Sequence, residues 1–245
     1  MGRGEVAKMT RVLLAGILSS IALGPGSPAL AAEPGAAPTG AIAGHVRYLG
    51  SRVVPPLRVP PASVAICGKT QPSPSLAVAR DKRLANAVVS ISGVKAKVPP
   101  APVEVSITQK SCIFEPHVVA VPIGSRLTFV NTDACLHNIH LVSGGATVAN
   151  IGMPVQGQKS RLPVSVFAKP GNVHFKCDVH AWMDGYVHVF DHPYFAVSDG
   201  TGAFRIGDVP PGTYDIHVEH ELLGGASRKV TVAAGADTKL EVDLK

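Results

Sequence analysis

Short segments that alternate apolar and polar residues, with turn residues between them, run from residue 103 to residue 191. Successive side chains of a β-strand point to opposite faces of the sheet, so a period of two predicts strands with one buried face. The segments are VEVSITQ, HVVAVPIGSRLTFVN, HNIHLV, KSRLPVSVF, GNVHFKC and GYVHVFD. None of them has a convincing helical period, so we expect this region to form a β-sandwich or a β-barrel.

Strand-like patterns also flank this region. On the N-terminal side, residues 41–50 and 83–93 alternate in the same way, and a proline-rich stretch separates them. On the C-terminal side, the turn signals DGTG and PPGTY separate further strands. We therefore predict an all-β chain. Its predicted units are a signal peptide (1–31), a linker with an N-terminal β-rich segment (32–102), a main sandwich (103–191) and a small C-terminal β-sandwich module (192–245).

The first 31 residues have the three parts of a secretory signal peptide. Arg3, Lys8 and Arg11 form a positive region, VLLAGILSSIALG is an apolar run, and the ALA at residues 29–31 is a small-x-small cleavage site. The apolar run is shorter than the ~20 residues that a membrane-spanning helix needs. We therefore expect cleavage near Ala31, a periplasmic or secreted protein, and no membrane span in the mature chain.

Composition excludes several classes of function. Hydrophobic residues make up 46% of the chain and charged residues 16%, which indicates a folded protein rather than a disordered one. The formal net charge is +6, but no Lys/Arg cluster is interleaved with aromatic residues, so we expect no nucleic-acid binding. No Ser/His/Asp order, Gly-rich phosphate loop or pair of carboxylates stands out, so we do not expect an enzyme.

The stretch KCDVHAWM, residues 176–183, brings three soft-metal donors together. Cys177, His180 and Met183 lie within seven residues, beside the single tryptophan, Trp182. A metal needs a further ligand, and His137 in NTDACLHNIH can supply a second imidazole, because loops at one end of a sandwich face each other. Thiolate and thioether donors favour copper, and a His₂Cys plane with a weak axial Met is an electron-transfer arrangement. Zinc gains little from a thioether, and structural zinc sites more often carry two or more thiolates.

These motifs resemble those of the cupredoxins, the blue copper proteins, and among them most closely amicyanin. CDVHAWM has the amicyanin spacing Cys-x-x-His-x-x-Met, and the His-Asn pair is shared with plastocyanin. The resemblance implies a Greek-key β-sandwich that holds one copper per chain. It implies Asn138 as the residue that ties the two ligand loops together. It also implies four copper ligands: His137, Cys177, His180 and Met183.

Ala181 departs from the amicyanin pattern, and the neighbouring Trp182 has two possible roles. Ala181 stands where amicyanin has proline, which would loosen the ligand loop and alter the basicity of His180. We expect the His180 ring edge to lie near solvent and to offer a short electron path. Trp182 is either part of a docking patch for a partner or a plug packed against His180.

The whole chain is similar to exported proteins labelled methylamine-utilisation or plastocyanin-like. The similarity lies in CIFEPHVVAVPIG before the first ligand and in VFDHPYFAVSDGTGAFRIGDVPPGTY after the last. The label does not establish a role with methylamine. The C-terminal module resembles the carboxypeptidase-regulatory or transthyretin-like sandwich, which is not an enzyme.

Together the motifs imply an exported type 1 copper protein that carries single electrons by outer-sphere transfer. Its expected partner is a redox protein such as a c-type cytochrome or a periplasmic dehydrogenase. One alternative is a β-sandwich module that binds carbohydrate or protein and keeps a vestigial or structural metal site. Another is copper delivery, which needs a more exposed site.

The other cysteines leave some alternatives open. In an exported protein we expect Cys67 to pair with Cys112, which would join the N-terminal segment to the copper domain, and the family resemblance favours the same pair. Cys135 is then the odd thiol. It is a small buried apolar residue or a spare soft ligand, and a Cys135–Cys177 disulfide would destroy the copper site.

Overall fold

The computed structural model describes residues 38–94 and 100–245, so the expected signal peptide lies outside the described residues. The described part is built almost entirely from β-strands, which confirms the all-β prediction. The strands are β1 (Gly40–Tyr48), β2 (Leu57–Arg58), β3 (Thr70–Gln71), β4 (Val88–Ser92), β5 (Glu104–Lys110), β6 (Ile113–Glu115), β7 (Val118–Pro122), β8 (Arg126–Asn131), β9 (His137–Ser143), β10 (Ala146–Met153), β11 (Lys159–Arg161), β12 (Gly171–Lys176), β13 (Asp184–Phe190), β14 (Phe195–Val197), β15 (Ala203–Val209), β16 (Gly212–His220), β17 (Gly224–Val232) and β18 (Asp237–Leu244). One helical turn, α1 (Val64–Cys67), and 3-10 turns at Pro61–Ser63, Pro74–Leu76 and Val164–Phe167 interrupt them.

The first sandwich contains the strands from β5 to β13. One sheet has the order β10-β9-β12-β13-β7 and the other the order β11-β8-β5-β6. Phe114, Phe129 and Phe175 come from both sheets and pack edge to face in the core between them, with ring centroids 5.0 to 5.9 Å apart. Along β12, Val173 and Phe175 are buried, and Cys177 follows on the same inward face. This alternation delivers the Cys177 thiol to the dry interior, as the sequence predicts.

A second sandwich combines strands from the two ends of the described chain. Its sheets have the orders β15-β1-β18 and β14-β4-β16-β17, and its core is a separate apolar cluster that includes Ile42, Val89, Phe204 and Ile216. Strand β1 pairs in parallel with β18 and antiparallel with β15. The C-terminal strands therefore form their sheets together with β1 and β4 from the N-terminal segment.

Residues 57–71 of the N-terminal segment pack on the first sandwich. Val59 and Cys67 belong to that sandwich's core, and β2 and β3 form a two-stranded ribbon on either side of α1. We call residues 57–71 the strap. The described part of the segment 32–102 thus contributes to both sandwiches, and the boundaries at residues 102 and 191 stay predictions.

A buried contact between a histidine and a carboxylate joins the two sandwiches. His117, which precedes β7, contacts the carboxylate of Glu221, which follows β16, and both side chains are largely buried. The other ring nitrogen of His117 lies 2.9 Å from the carbonyl oxygen of Asp184.

Within the described ranges, none of the helices combines the length and the apolar character that crossing a bilayer requires.

Candidate metal centre

Two loops at one end of the first sandwich bring the predicted donors together. His137 is the first residue of β9, and Cys177, His180 and Met183 lie on the connection between β12 and β13. Because β9 and β12 are hydrogen-bonded neighbours in one sheet, the start of β9 and the end of β12 meet. The strand pairing thus places residues that are 40 positions apart in the sequence side by side.

The donor atoms of His137, Cys177 and His180 form a compact buried triangle. The two Nδ1 atoms lie 3.0 Å apart, and the Cys177 Sγ lies 4.0 Å from the Nδ1 of His137 and 3.9 Å from that of His180. A point equidistant from the three atoms lies about 2.1 Å from each, within the range of about 2.0–2.3 Å for nitrogen and sulfur bonds to a metal such as zinc. The three side chains therefore already stand at the spacing that one metal ion requires.

Met183 closes the loop that carries these donors. Its N–H donates to the carbonyl of His180 at 2.8 Å, and its own carbonyl accepts from the N–H of Cys177 at 2.9 Å. The Met183 side chain is buried in the same core cluster as Cys177. These two backbone bonds fold residues 177–183 into a tight turn, so that all three of its donor side chains are buried at the same end of the sandwich.

Burial favours the neutral form of the two imidazoles, which is the form that binds metal. Desolvation lowers the pKa of His137, although the Asp133 carboxylate opposes it. Desolvation also lowers the pKa of His180, and the neighbouring His137 lowers it further. A metal ligand must be deprotonated, so neutral imidazoles suit a metal site. Thiolate, imidazole and thioether together are the donor set that soft transition metals such as copper take.

Asp133 fixes the first histidine from the side opposite to Cys177. Its Oδ2 lies 3.0 Å from the Nε2 of His137, while its two oxygens accept the N–H groups of Ser111 and Cys112 at 2.7 and 2.8 Å. A carboxylate that accepts the second ring N–H fixes the tautomer and the orientation of a ligand histidine. The local sequence gives no signal for this role, because an aspartate in a loop resembles a solvated turn residue.

The first sandwich is the part of this chain that matches known proteins. The model of the family "Copper binding proteins, plastocyanin/azurin family" matches residues 101–190. Amicyanin-alpha of Methylorubrum extorquens is 30% identical over 93 residues, which cover 38% of this chain and 76% of that protein. The chain belongs to the plastocyanin/azurin family of copper-binding proteins.

Several solved structures are similar to part of this chain, and their TM-scores are low. A reduced tryptophan-to-tyrosine variant of amicyanin is 24% identical, with a TM-score of 0.32, over 42% of this chain and 98% of that one. A purple cupredoxin from Nitrosopumilus maritimus is 22% identical, with a TM-score of 0.30, over 35% and 98%. A copper-containing nitrite reductase from Thermus scotoductus is 24% identical, with a TM-score of 0.31, over 42% of this chain and 25% of that enzyme. Members of the plastocyanin/azurin family are in general copper-binding electron carriers.

Asn138, which directly follows His137, bonds to the loop that carries the other donors. Its Oδ1 accepts the backbone N–H of Asp178 at 2.6 Å, and its Nδ2 donates to the Asp178 carboxylate at 2.9 Å. Asp178 directly follows Cys177, so these bonds join the start of β9 to the ligand loop. The side chains of His140 and Asn150 also bond to Asp178, and with Asn138 they hold its pKa at about 2.

The second histidine is buried, which corrects the expectation of a solvent-facing ring edge. His180 is 4% exposed. The structure confirms the Cys67–Cys112 disulfide, and the Sγ of Cys67 lies 3.9 Å from the Nε2 of His180. The strap thus covers the ring edge that the sequence analysis placed at the surface. The reason is a tertiary contact that the local ligand motif does not encode.

Trp182 packs against the same histidine. The Trp182 and His180 ring centroids lie 5.1 Å apart, and the Trp182 Nε1 donates to the carbonyl of Cys112 at 2.9 Å. These contacts are those of a plug that links the ligand loop to the disulfide. Cys135 and Cys177 are both free, so no disulfide removes the Cys177 thiol from the site.

Proposed function

We propose that this chain is an exported type 1 copper protein that binds one copper through His137, Cys177, His180 and Met183 and carries single electrons. The observation that carries the proposal is the triangle of two Nδ1 atoms and one Sγ, with sides of 3.0, 3.9 and 4.0 Å. Copper, when bound, would supply a couple that gains and loses one electron. Membership of the plastocyanin/azurin family supports the choice of copper.

The residues of the chain would make electron transfer fast by holding one geometry for both oxidation states. His137 is held by Asp133, and the ligand loop is held by Asn138 and by the two backbone bonds of Met183. Hydrogen bonds around ligands tune a metal and fix its ligand orientations. Because these groups are braced on several sides, we expect little rearrangement when the charge of the site changes.

Burial of the donors supports transfer without catalysis at the metal. Cys177 and Met183 are 2% and 1% exposed, and His137 is fully buried. Four protein donors leave no open position for a substrate or water, which catalytic metal sites keep. We therefore propose an electron carrier rather than an enzyme.

The partner and the compartment belong to the same proposal. The disulfide Cys67–Cys112 suits an oxidising compartment outside the cytoplasm. We propose a periplasmic or secreted protein that exchanges electrons with another redox protein, such as a c-type cytochrome or a periplasmic dehydrogenase. Since the strap covers His180, such a partner would not reach the Nε2 of that ring directly.

A redox titration with metal analysis tests the function. The wild-type protein loaded with copper should contain one copper per chain and show one reversible one-electron couple. Cys177→Ser should abolish that couple, because a hydroxyl does not replace a thiolate as a soft donor. A wild-type protein with one copper and no reversible couple would overturn the electron-transfer role and leave a structural metal site.

A further inference from the structure

The Nε2 atom of His137 faces a second group of donors on the side away from Cys177. Cys135 is free, and its Sγ lies 3.5 Å from this Nε2. The Oδ2 of Asp133 lies 3.0 Å from the same atom. The copper role uses the Nδ1 of His137 and leaves Cys135 without a function, so this second group needs an account of its own.

The three donors have the spacing of a metal site. The ligand atoms of Asp133, Cys135 and His137 all lie within 4.8 Å of one another. Donors on one tetrahedral zinc stand roughly 3.3–3.8 Å apart, given bonds of about 2.0–2.3 Å. Cys112 belongs to the same cluster, but its sulfur is bonded to Cys67 and is not a donor. The 3.5 Å between the Cys135 Sγ and the His137 Nε2 lies within that range of donor spacings.

The surroundings of the cluster fix its carboxylate and leave its thiol partly exposed. The Asp133 carboxylate accepts the N–H groups of Ser111 and Cys112, which fix its position. An ionised carboxylate has about four lone-pair sites, so it can bind a metal as well. Asp133 and His137 are buried, whereas Cys135 is partly exposed. The group therefore opens to solvent at Cys135, which leaves a fourth position for water.

We propose that Asp133, Cys135 and the Nε2 of His137 form a second metal site for Zn²⁺ or a similar borderline-soft dication. Thiolate, imidazole and carboxylate are the three ligand types that zinc takes from proteins. The incoming dication replaces the proton of the Cys135 thiol and the proton on the Nε2 of His137, and both protons go to solvent. The His137 ring then joins this site to the one at Cys177.

Cadmium binding tests the site directly, because a cadmium–thiolate bond absorbs in the near ultraviolet. Copper-loaded protein with its disulfide intact is titrated with Cd²⁺, desalted and analysed for both metals. Wild type should hold one cadmium beside its copper and show the thiolate band, and Cys135→Ala should hold copper alone. Cys177→Ala lacks the first thiolate and should still bind one cadmium, whereas the double variant with Cys135→Ala should bind none.

These variants separate the two proposals. If neither wild type nor Cys135→Ala takes up copper, the copper role fails. Cadmium uptake by Cys177→Ala, compared with the double variant that also carries Cys135→Ala, still tests the second site. Copper-loaded wild type that binds no cadmium would overturn the second site. So would cadmium uptake that is the same in Cys135→Ala, because the metal would then sit elsewhere on the protein.

Discussion

The Nε2 of His180 lies 3.9 Å from the Sγ of Cys67, although 113 residues separate them in the sequence. Cys67 ends α1 in the strap and is bonded to Cys112, whose carbonyl accepts from Trp182. The edge of the second histidine is therefore closed by a disulfide and an indole rather than by solvent. Access to the metal centre from this side depends on the strap.

The disulfide variant Cys67→Ala with Cys112→Ala should open the site. We expect a chelator to remove copper at least tenfold faster than from wild type, because the strap loses its covalent link above His180. Removing a native disulfide typically lowers the free energy of unfolding by about 2–5 kcal/mol. Stopped-flow chelation and denaturant unfolding measure the two effects.

Cys135→Ala is the matched control for this change, because it removes a cysteine without touching the strap. Its copper release should match that of wild type. If the disulfide variant releases copper at the wild-type rate while folded, the strap does not limit access to the site.

Asn138→Ala should loosen the link between the two ligand loops. The change removes the acceptor of the Asp178 N–H and two side-chain bonds, at 2.8 and 2.9 Å, to Asn150 and Asp178. Loss of such a supporting residue typically weakens metal affinity by about 10–100-fold. Competition with a copper chelator measures the affinity. Asn150→Ala is the control, because it removes an amide of the same cluster that does not bond to the loop backbone. It should lower the copper affinity less than Asn138→Ala does. Equal losses of affinity would contradict the role of Asn138 as the link between the two ligand loops.

Met183→Leu should keep the copper and change its potential. Leucine conserves the volume of the side chain, so the fold should lose less than about 1.5 kcal/mol. Without a thioether to stabilise the oxidised state, the potential should rise, since the axial ligand tunes it. Voltammetry measures the shift. Met153→Leu changes another buried methionine of the same core and should leave the potential unchanged; an equal shift in both variants would remove Met183 from the ligand set.

Glu221→Gln should weaken the contact between the two sandwiches. The substitution replaces the buried carboxylate that His117 contacts with a neutral amide, and we expect the free energy of unfolding to fall by about 1–3 kcal/mol. Chemical denaturation measures it. Glu219→Gln is the control, since Glu219 makes no salt bridge in the part of the chain that the structure describes, and it should change stability little. A loss as large in the control would show that the pair does not stabilise the contact.

Local sequence patterns predicted the first sandwich and the convergence of its donors. The alternation in VHFKC determines which way Cys177 points, and the turn before HNIH puts His137 at a strand start, so both follow from residues close in sequence. The pairing of β1 with β18 does not, because it joins residues 196 positions apart and no local period specifies a partner. That the four donor side chains bind copper is a proposal.

Asp133 and the strap show where local patterns fail at the site itself. An aspartate in a loop resembles an ordinary solvated turn residue, and only tertiary packing buries it against His137. The strap lies in a proline-rich stretch without periodicity, and its position over His180 follows from the disulfide to Cys112. Neither the depth of His180 nor the support of His137 can therefore be inferred from the ligand motif alone.

The visible absorption spectrum of the protein after addition of Cu²⁺ tests the central claim most directly. Charge transfer from the Cys177 thiolate should give wild type an intense colour, and Cys177→Ser should bind copper without that colour. Copper-loaded wild type that stays colourless, or a spectrum that is the same with and without the Cys177 thiol, would contradict the account.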